Sequence, residues 1–385
     1  MDKKLNVLMG ISTEQNIEAP SMGSERQFLC YAKALAERGH VVSVVNLLYA
    51  APDWSVDYDV CHLVNAGGGK GAPILTAQIC KLKGIPVVIS PVYWPTDEAQ
   101  KEIEEKLNEN PVLIAERFGM HIQGVKDMLA EADWLLPNAE IEMEKVSELM
   151  YGETSTLYED EIDQIGYAVI RNGIDVENEI DTALRLNDEE LLFDDSVEEL
   201  LADRFVLCVG RIEIRKNQAS LVEAMKPLWE EDPGLQLVFM GSPSAPYVKY
   251  IKEEIMGKNI LFCPPGPPAA VMMMMRRAAV HILVSYIETP GLVNLEAAAL
   301  NRPIVVGDRG SVREYFMDLP GAFYVDPNNV NDITTKLRLA LDFGDANELG
   351  EFVRETYSHA QIAHELENVY KRCINSASLK QANDS

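Results

Sequence analysis

The sequence predicts an α/β protein of two doubly wound, parallel-sheet domains, and three observations carry that prediction. Short apolar runs alternate with helix-forming stretches from Leu5 onward, the pattern of strand–helix–strand units with right-handed crossovers. A chain of 385 residues, 47% hydrophobic and 25% charged, is long enough and apolar enough for two cores. The two halves share this architecture on either side of an acidic run. Domains are therefore expected at 1–174 and 204–357, with 175–203 as acidic linker and helices and 358–385 as a last helix and tail.

In the first half, Leu5 to Gly10 reads as a buried strand, followed by a loop from Ile11 to Gly23. A helix from Ser24 to Arg38 ends at Gly39, and Val41 to Leu47 forms the second strand. The dinucleotide fingerprint Gly-x-Gly-x-x-Gly is missing after the first strand, which disfavours NAD binding. Asp57 to Val64 is a third strand, and Gly67, Gly68, Gly69, Lys70 and Gly71 follow it. This run is no P-loop, because Val64 stands where the first glycine belongs and Gly71 where a hydroxyl residue should hold magnesium. Pro86 to Pro91 is the next strand and leads into Tyr93 and Trp94. A polar, charged helix is expected over 96–120, then a helix and short strand through Asp133 to Pro137, and an Asn-Gly turn inside Val169 to Asp175.

In the second half, Phe205 to Gly210 is an apolar strand with Arg211 just past its glycine and Lys216 five positions on. Further strands are expected at Leu235 to Gly241, Asn259 to Cys263, Val280 to Val284, Pro303 to Val306 and Phe323 to Pro327. The four methionines Met272 to Met275 would cover every side of a helix, so most of them are packing material. The last helix, Ser358 to Cys373, carries Ile362, Leu366, Val369 and Tyr370 at helical spacing.

Chemistry concentrates where the strand Val280 to Val284 turns through Glu288, Pro290 and Gly291 into a helix from Val293 to Leu300 containing Glu296. A helix start of this kind aims free N–H groups, here around Gly291, Leu292 and Val293, at one point that favours phosphate. Arg211 and Lys216 sit at the end of another strand, where cations oppose the dipole of the helix that follows; that disfavours a merely solvated role and suits a diphosphate. Glu288 and Glu296, eight positions apart, are acceptors suited to sugar and ribose hydroxyls.

The Glu-x7-Glu spacing inside Glu-Thr-Pro-Gly-Leu-Val-Asn-Leu-Glu-Ala resembles the donor-site motif of retaining family 4 glycosyltransferases (glycosyl transferase group 1). Gly210-Arg211 with Lys216 matches that family in order and spacing, and Met-Gly-Ser-Glu-Arg, with Gly23, resembles its Gly-Gly-x-Glu-Arg segment. Gly23 also fits a plain helix start. The resemblance implies a GT-B fold, two Rossmann-like domains facing a cleft, with the last helix crossing back to the first domain. It implies retaining transfer, of hexosyltransferase type, from a UDP- or GDP-sugar to a saccharide or lipid-linked acceptor hydroxyl, in polysaccharide, glycolipid or glycoconjugate synthesis. In those terms Arg211, Lys216 and Glu288 are the catalytic residues, and Gly23, Gly291, Leu292, Val293 and Glu296 hold the donor. No metal or other cofactor is expected.

Two departures stand out. Met22 and Pro290 replace a glycine and a common phenylalanine, and the fourth-strand region offers Ser90, Tyr93 and Trp94 where many members have a histidine. Tyr93 and Trp94 fit either packing or stacking on an acceptor sugar. A non-catalytic nucleotide-sugar-binding protein and a GT-B epimerase therefore stay as alternatives. A formal net charge of -27 argues against nucleic acid and against more than peripheral contact with a membrane. Six scattered cysteines and no signal or spanning segment point to a reducing, cytoplasmic setting.

Overall fold

The computed structural model describes residues 3–14, 17, 23–66, 71–95, 122–152, 165–185, 195–255 and 259–383. The described residues form two units. The first takes those up to Pro95, those of 122–173 and the chain from His359, and the second runs from Ile174 to Ser358.

In the first unit, β1 (Asn6–Ile11), β2 (Val41–Asn46), β3 (Val60–Val64), β4 (Val87–Ser90), β5 (Trp134–Leu135) and β6 (Gly166–Tyr167) make one parallel sheet in the order β2-β1-β3-β4-β5-β6. Helices cover both faces, so the inner strands are apolar on both sides. Val7, Met9 and Ile11 of β1 face the helix Gly23–Glu37 and the last helix, while Leu8 faces the core shared with the helices Ala72–Leu82 and Ile122–Leu129. The third strand starts at Val60 and not at Asp57. The Asp59 carboxylate is drawn off to the Asn6 amide and Lys3 Nζ, each at 2.8 Å, which ends the ladder.

The last helix runs His359–Asn383, ten residues past the predicted Cys373, and Ile362, Leu366, Val369 and Tyr370 are all buried in the first unit's core. Glu367 fastens it. One carboxylate oxygen accepts from Arg38 Nε at 2.8 Å and Nη2 at 2.6 Å, the other pairs with Lys371 at 2.7 Å, and His40 Nε2 lies 3.6 Å away. Tyr370 contributes a second tie, its hydroxyl 2.7 Å from His62 Nδ1 on β3.

In the second unit, β7 (Phe205–Val209), β8 (Gln236–Met240), β9 (Ile260–Cys263), β10 (Val280–Leu283), β11 (Ile304–Gly307) and β12 (Ala322–Val325) form a second parallel sheet, ordered β12-β11-β10-β7-β8-β9. Alternate residues separate onto its two faces. Val206 and Cys208 meet the helices Gln218–Glu231 and Val330–Phe343, whereas Phe205, Leu207 and Val209 meet Pro268–Arg277 and Leu292–Ala299. All four methionines Met272 to Met275 are buried, as packing predicts. The acidic run is less solvated than its charge implies. After a turn at Val176–Ile180 comes a helix Asp181–Arg185, and Ile180 of the turn and Ala183 of the helix are buried in the second unit's core.

The run Gly67 to Lys70, Met22, residues 186–194 of the acidic stretch and the helix expected over 96–120 lie outside the described residues. Among the described residues no helix is long and apolar enough to cross a membrane.

Candidate active site at the strand-order reversal

In the second sheet the chain steps outward from β7 through β8 to β9, then returns to β10 and steps the other way through β11 to β12. The reversal lies between the neighbours β7 and β10. Two loops leave the sheet at the carboxyl ends of these neighbours, the place where open α/β sheets bind ligands. The predicted residues occupy those two loops. Arg211 and Lys216 follow β7, and Glu288, Gly291, Leu292, Val293 and Glu296 follow β10.

A short helical turn, Ile214–Lys216, carries the lysine, and Asn217 reverses the backbone at φ 56 before the helix Gln218–Glu231 begins. Asparagine tolerates this left-handed geometry better than most residues. Its buried side chain then spans the two loops. Nδ2 donates to the carbonyls of Val284 at 3.3 Å and Pro327 at 2.7 Å, and Oδ1 accepts from the Tyr286 hydroxyl at 3.2 Å. The Tyr286 amide in turn donates to the Arg215 carbonyl at 3.0 Å.

Lys216 Nζ donates to Glu288 Oε1, across 72 positions of sequence, and both side chains are nearly enclosed. Burial pushes the Glu288 carboxyl up, but Lys216 and Arg215 beside it outweigh that, so its pKa lies below the ordinary value. Cys208 on β7, under the same pair, is pushed up to about 12 by its burial. His281 on β10 is held down to about 3, also by burial, and both its ring nitrogens lack partners among the described residues.

Two glycines shape the Glu288 loop. At Gly291 φ is +80, and a Cβ there would lie 3.0 Å from both Glu288 Oε2 and Asn294 Nδ2. At Gly310 φ is +82, and a Cβ would meet the Glu288 carbonyl oxygen at 1.9 Å, which is why the β11 loop can run alongside and let the Ser311 amide donate to that carbonyl at 3.0 Å. The Thr289–Pro290 peptide is cis, and the Pro290 carbonyl accepts from Asn294 Nδ2 at 2.8 Å. The helix Leu292–Ala299 starts immediately after. The Asn294 amide turns back onto the Gly291 carbonyl at 3.0 Å, leaving the Leu292 and Val293 amides without acceptors among the described residues. Glu296 lies farther along the same helix and is buried.

Arg211 does not join the Lys216–Glu288 pair. Its Nε lies 3.3 Å from Glu213 Oε2, and the side chain is 56% exposed. Gly23 belongs to the first unit, where it opens the helix Gly23–Glu37 and is exposed. The polar features proposed near the fourth strand also resolve within that unit. Ser90 is buried, its hydroxyl 2.8 Å from His62 Nε2, and Tyr93 is enclosed in the core, its amide bound by Glu142 Oε1 at 2.7 Å. Tyr93 is thus packing and not a stacking platform, because the buried Glu142 carboxylate pulls its backbone inward. Asp57-Tyr58-Asp59, whose spacing mimics a metal motif, serves the β1–β3 edge instead.

Sequence reading missed Asn217, Glu213 and Arg215. The signals were present: an asparagine just before a helix, and charges at alternate positions of Arg211-Ile-Glu-Ile-Arg.

Two doubly wound, Rossmann-like units, the second with a cation–carboxylate pair and a helix start at its switch point, define a protein of GT-B type. Residues 193–356 match the family model described as glycosyl transferases group 1. Among curated relatives, the D-inositol 3-phosphate glycosyltransferase of Nocardia farcinica is 29% identical over 62% of this chain and 51% of its own length. The enzyme of that name from Corynebacterium glutamicum is 27% identical over 45% of this chain and 44% of its own. The chain spans about half the length of these relatives. Among solved structures, sucrose-phosphate synthase from Thermosynechococcus elongatus aligns with a TM-score of 0.67 at 16% identity, covering 96% of this chain and all of that one. HepE of Anabaena, in complex with UDP and glucose, aligns at 0.65 and 14% identity, over 96% of this chain and 100% of that one.

Proposed function

We propose that this protein is a retaining glycosyltransferase, of hexosyltransferase type, that moves a sugar from a UDP- or GDP-sugar to an acceptor hydroxyl. The observation that carries the reading is the buried Lys216–Glu288 pair at the strand-order reversal, beside the open amides of Leu292 and Val293. In this role Lys216, Arg211 and those amides offset charge that grows on the diphosphate as it leaves, where preorganised donors lower a barrier most. Glu288, kept ionised by its cationic surroundings, accepts hydrogen bonds from hydroxyls of the donor sugar, and Glu296 those of the ribose. These groups take over the work of a metal ion, so the reaction is proposed to need none.

The similar fold of a protein in complex with UDP and glucose makes UDP-sugars the first donors to try. The acceptor is proposed to be a saccharide or lipid-linked hydroxyl, in polysaccharide, glycolipid or glycoconjugate synthesis, and relatives named D-inositol 3-phosphate glycosyltransferase add a phosphorylated polyol to the acceptors to try. A cytoplasmic setting suits such donors.

The test is a thermal-shift screen with UDP, GDP, ADP and their common sugar derivatives on wild type and Lys216→Ala, followed by product analysis with the binding donor. One nucleotide family should raise the wild-type midpoint by several degrees and leave the variant unmoved. Absence of any shift would sink the reading. Binding without turnover would convert it to a nucleotide-sugar-binding protein, and a free altered sugar without acceptor to an epimerase.

A further inference from the structure

Glu213 is an unusual residue to find 4% exposed on a loop between two arginines. Each of its oxygens serves one guanidinium. Oε2 lies 3.3 Å from Arg211 Nε, while Oε1 accepts from Arg215 Nε at 3.2 Å and Nη2 at 3.1 Å. The buried carboxylate thus takes Arg211 by its inner Nε and Arg215 by Nε and one terminal nitrogen, and leaves the remaining terminal nitrogens unspent. Both Nη groups of Arg211 and Nη1 of Arg215 have no hydrogen-bond acceptor among the described residues. The turn that carries them is anchored. The Arg215 carbonyl is bound by the Tyr286 amide of the β10 loop, and the Arg211 carbonyl by Gln218 Nε2 at 2.9 Å. Arg215 is also near enough to Glu288 for its charge to act on that carboxyl.

The cations at the strand-order reversal are therefore engaged to different degrees. Lys216 is committed to Glu288, and each guanidinium is half committed to Glu213. Beside Lys216, Arg211 and the Leu292 and Val293 amides, Arg215 adds a second guanidinium, and arginine forks match phosphate oxygens in pairs. We propose that Arg215 is a second arginine contact to the β-phosphate end of a nucleoside diphosphate, and that Glu213 is a positioning residue that sets Arg211 and Arg215 together for it. This rests on the nucleotide-sugar reading above and adds to it two residues and a preference for diphosphate over monophosphate.

The experiment is titration calorimetry of UDP, UMP, GDP and GMP with the full chain, as wild type, Arg215→Gln, Arg215→Lys and Glu213→Gln. With whichever base binds wild type, Arg215→Gln should weaken the diphosphate by about tenfold and the monophosphate by less than about threefold. Arg215→Lys should recover part of that loss, since it keeps the charge but not the fork. Glu213→Gln should narrow the diphosphate-to-monophosphate ratio in the same direction. The ratio is internal to each variant, so a general loss of fold, which lowers both affinities together, does not imitate the effect. A wild-type ratio retained within about twofold in both Arg215→Gln and Glu213→Gln overturns the proposal while leaving the nucleotide site in place. Failure of wild type to bind either diphosphate overturns the proposal together with the reading on which it rests.

Discussion

Two buried carboxylates, Glu288 in the second unit and Glu367 in the first, differ in a way that separates a site from a fastener. Glu367 is surrounded: Arg38 takes one oxygen with two N–H groups, Lys371 the other, and His40 stands behind. Burial raises its pKa, yet the Lys371 and Arg38 hydrogen bonds pull it down to about 2. Among the described residues Glu288 has one charged donor, Lys216, with the Ser285 hydroxyl beside it and Arg215 acting from nearby. It sits where the β7 and β10 loops meet, close in sequence to the Leu292 and Val293 amides, which lack acceptors among the described residues. A saturated carboxylate joins elements of the fold. One partnered by a single lysine at the strand-order reversal keeps the ability to exchange that partner for a ligand.

The strongest way to break this comparison is to remove one charge from each pair. Lys216→Met strands a buried carboxylate and is expected to cost about 3–5 kcal/mol in urea denaturation while abolishing nucleotide binding. Adding Glu288→Gln should restore most of that stability and none of the binding. A single variant as stable as wild type would show that the pair is not buried charge held by charge.

Gly291→Ala sharpens the comparison on the backbone side. Its Cβ would press on Glu288 Oε2 at 3.0 Å from a residue at φ +80, so about 1–2 kcal/mol of stability and roughly tenfold in nucleotide affinity should go together. Stability lost without affinity would separate the loop from the site.

At the fastener, Arg38→Met should cost about 1–2 kcal/mol, discounted for a partly exposed arginine, and leave nucleotide affinity unchanged in calorimetry. Its pH signature follows from the direction of the shift. Glu367 has a folded pKa near 2, below its ordinary 4.5. The unfolded chain therefore takes up its proton first as pH falls. The stabilisation is complete above about 4.5 and disappears toward 2, and Glu367→Gln should flatten that part of the stability–pH curve. The smallest effect belongs to Met274→Leu, a volume-conserving change in a packed core, which should shift stability by less than about 1.5 kcal/mol and leave nucleotide affinity alone.

Much of the fold was legible because short apolar runs and helix formers report their own neighbourhood. The predicted strands appeared within a few residues of their places, β6 (Gly166–Tyr167) being the one the pattern did not offer, and the residues of the Glu288 loop and its helix were singled out from their spacing. Most of the missed contacts join partners far apart in sequence, the Glu213 pairs with Arg211 and Arg215 being local exceptions. His62 meets Ser90 at 28 positions and Tyr370 at 308, Asn217 reaches Pro327 at 110, and Lys216 reaches Glu288 at 72. No local pattern encodes those distances.

Arg211 shows the same limit in reverse. Its position after Gly210 was read, together with Lys216, as a cation for a diphosphate; the neighbour that reading did not include is Glu213, whose Oε2 lies 3.3 Å from Arg211 Nε. By itself, then, the sequence determined the order of strands and helices, the two-unit division of apolar runs and the charged residues available at each strand end. Only the tertiary structure decided which strands became neighbours, and so which charges met. The reversal between β7 and β10 is a property of the whole sheet, and it alone brings Lys216 against Glu288 and leaves the helix amides open beside them.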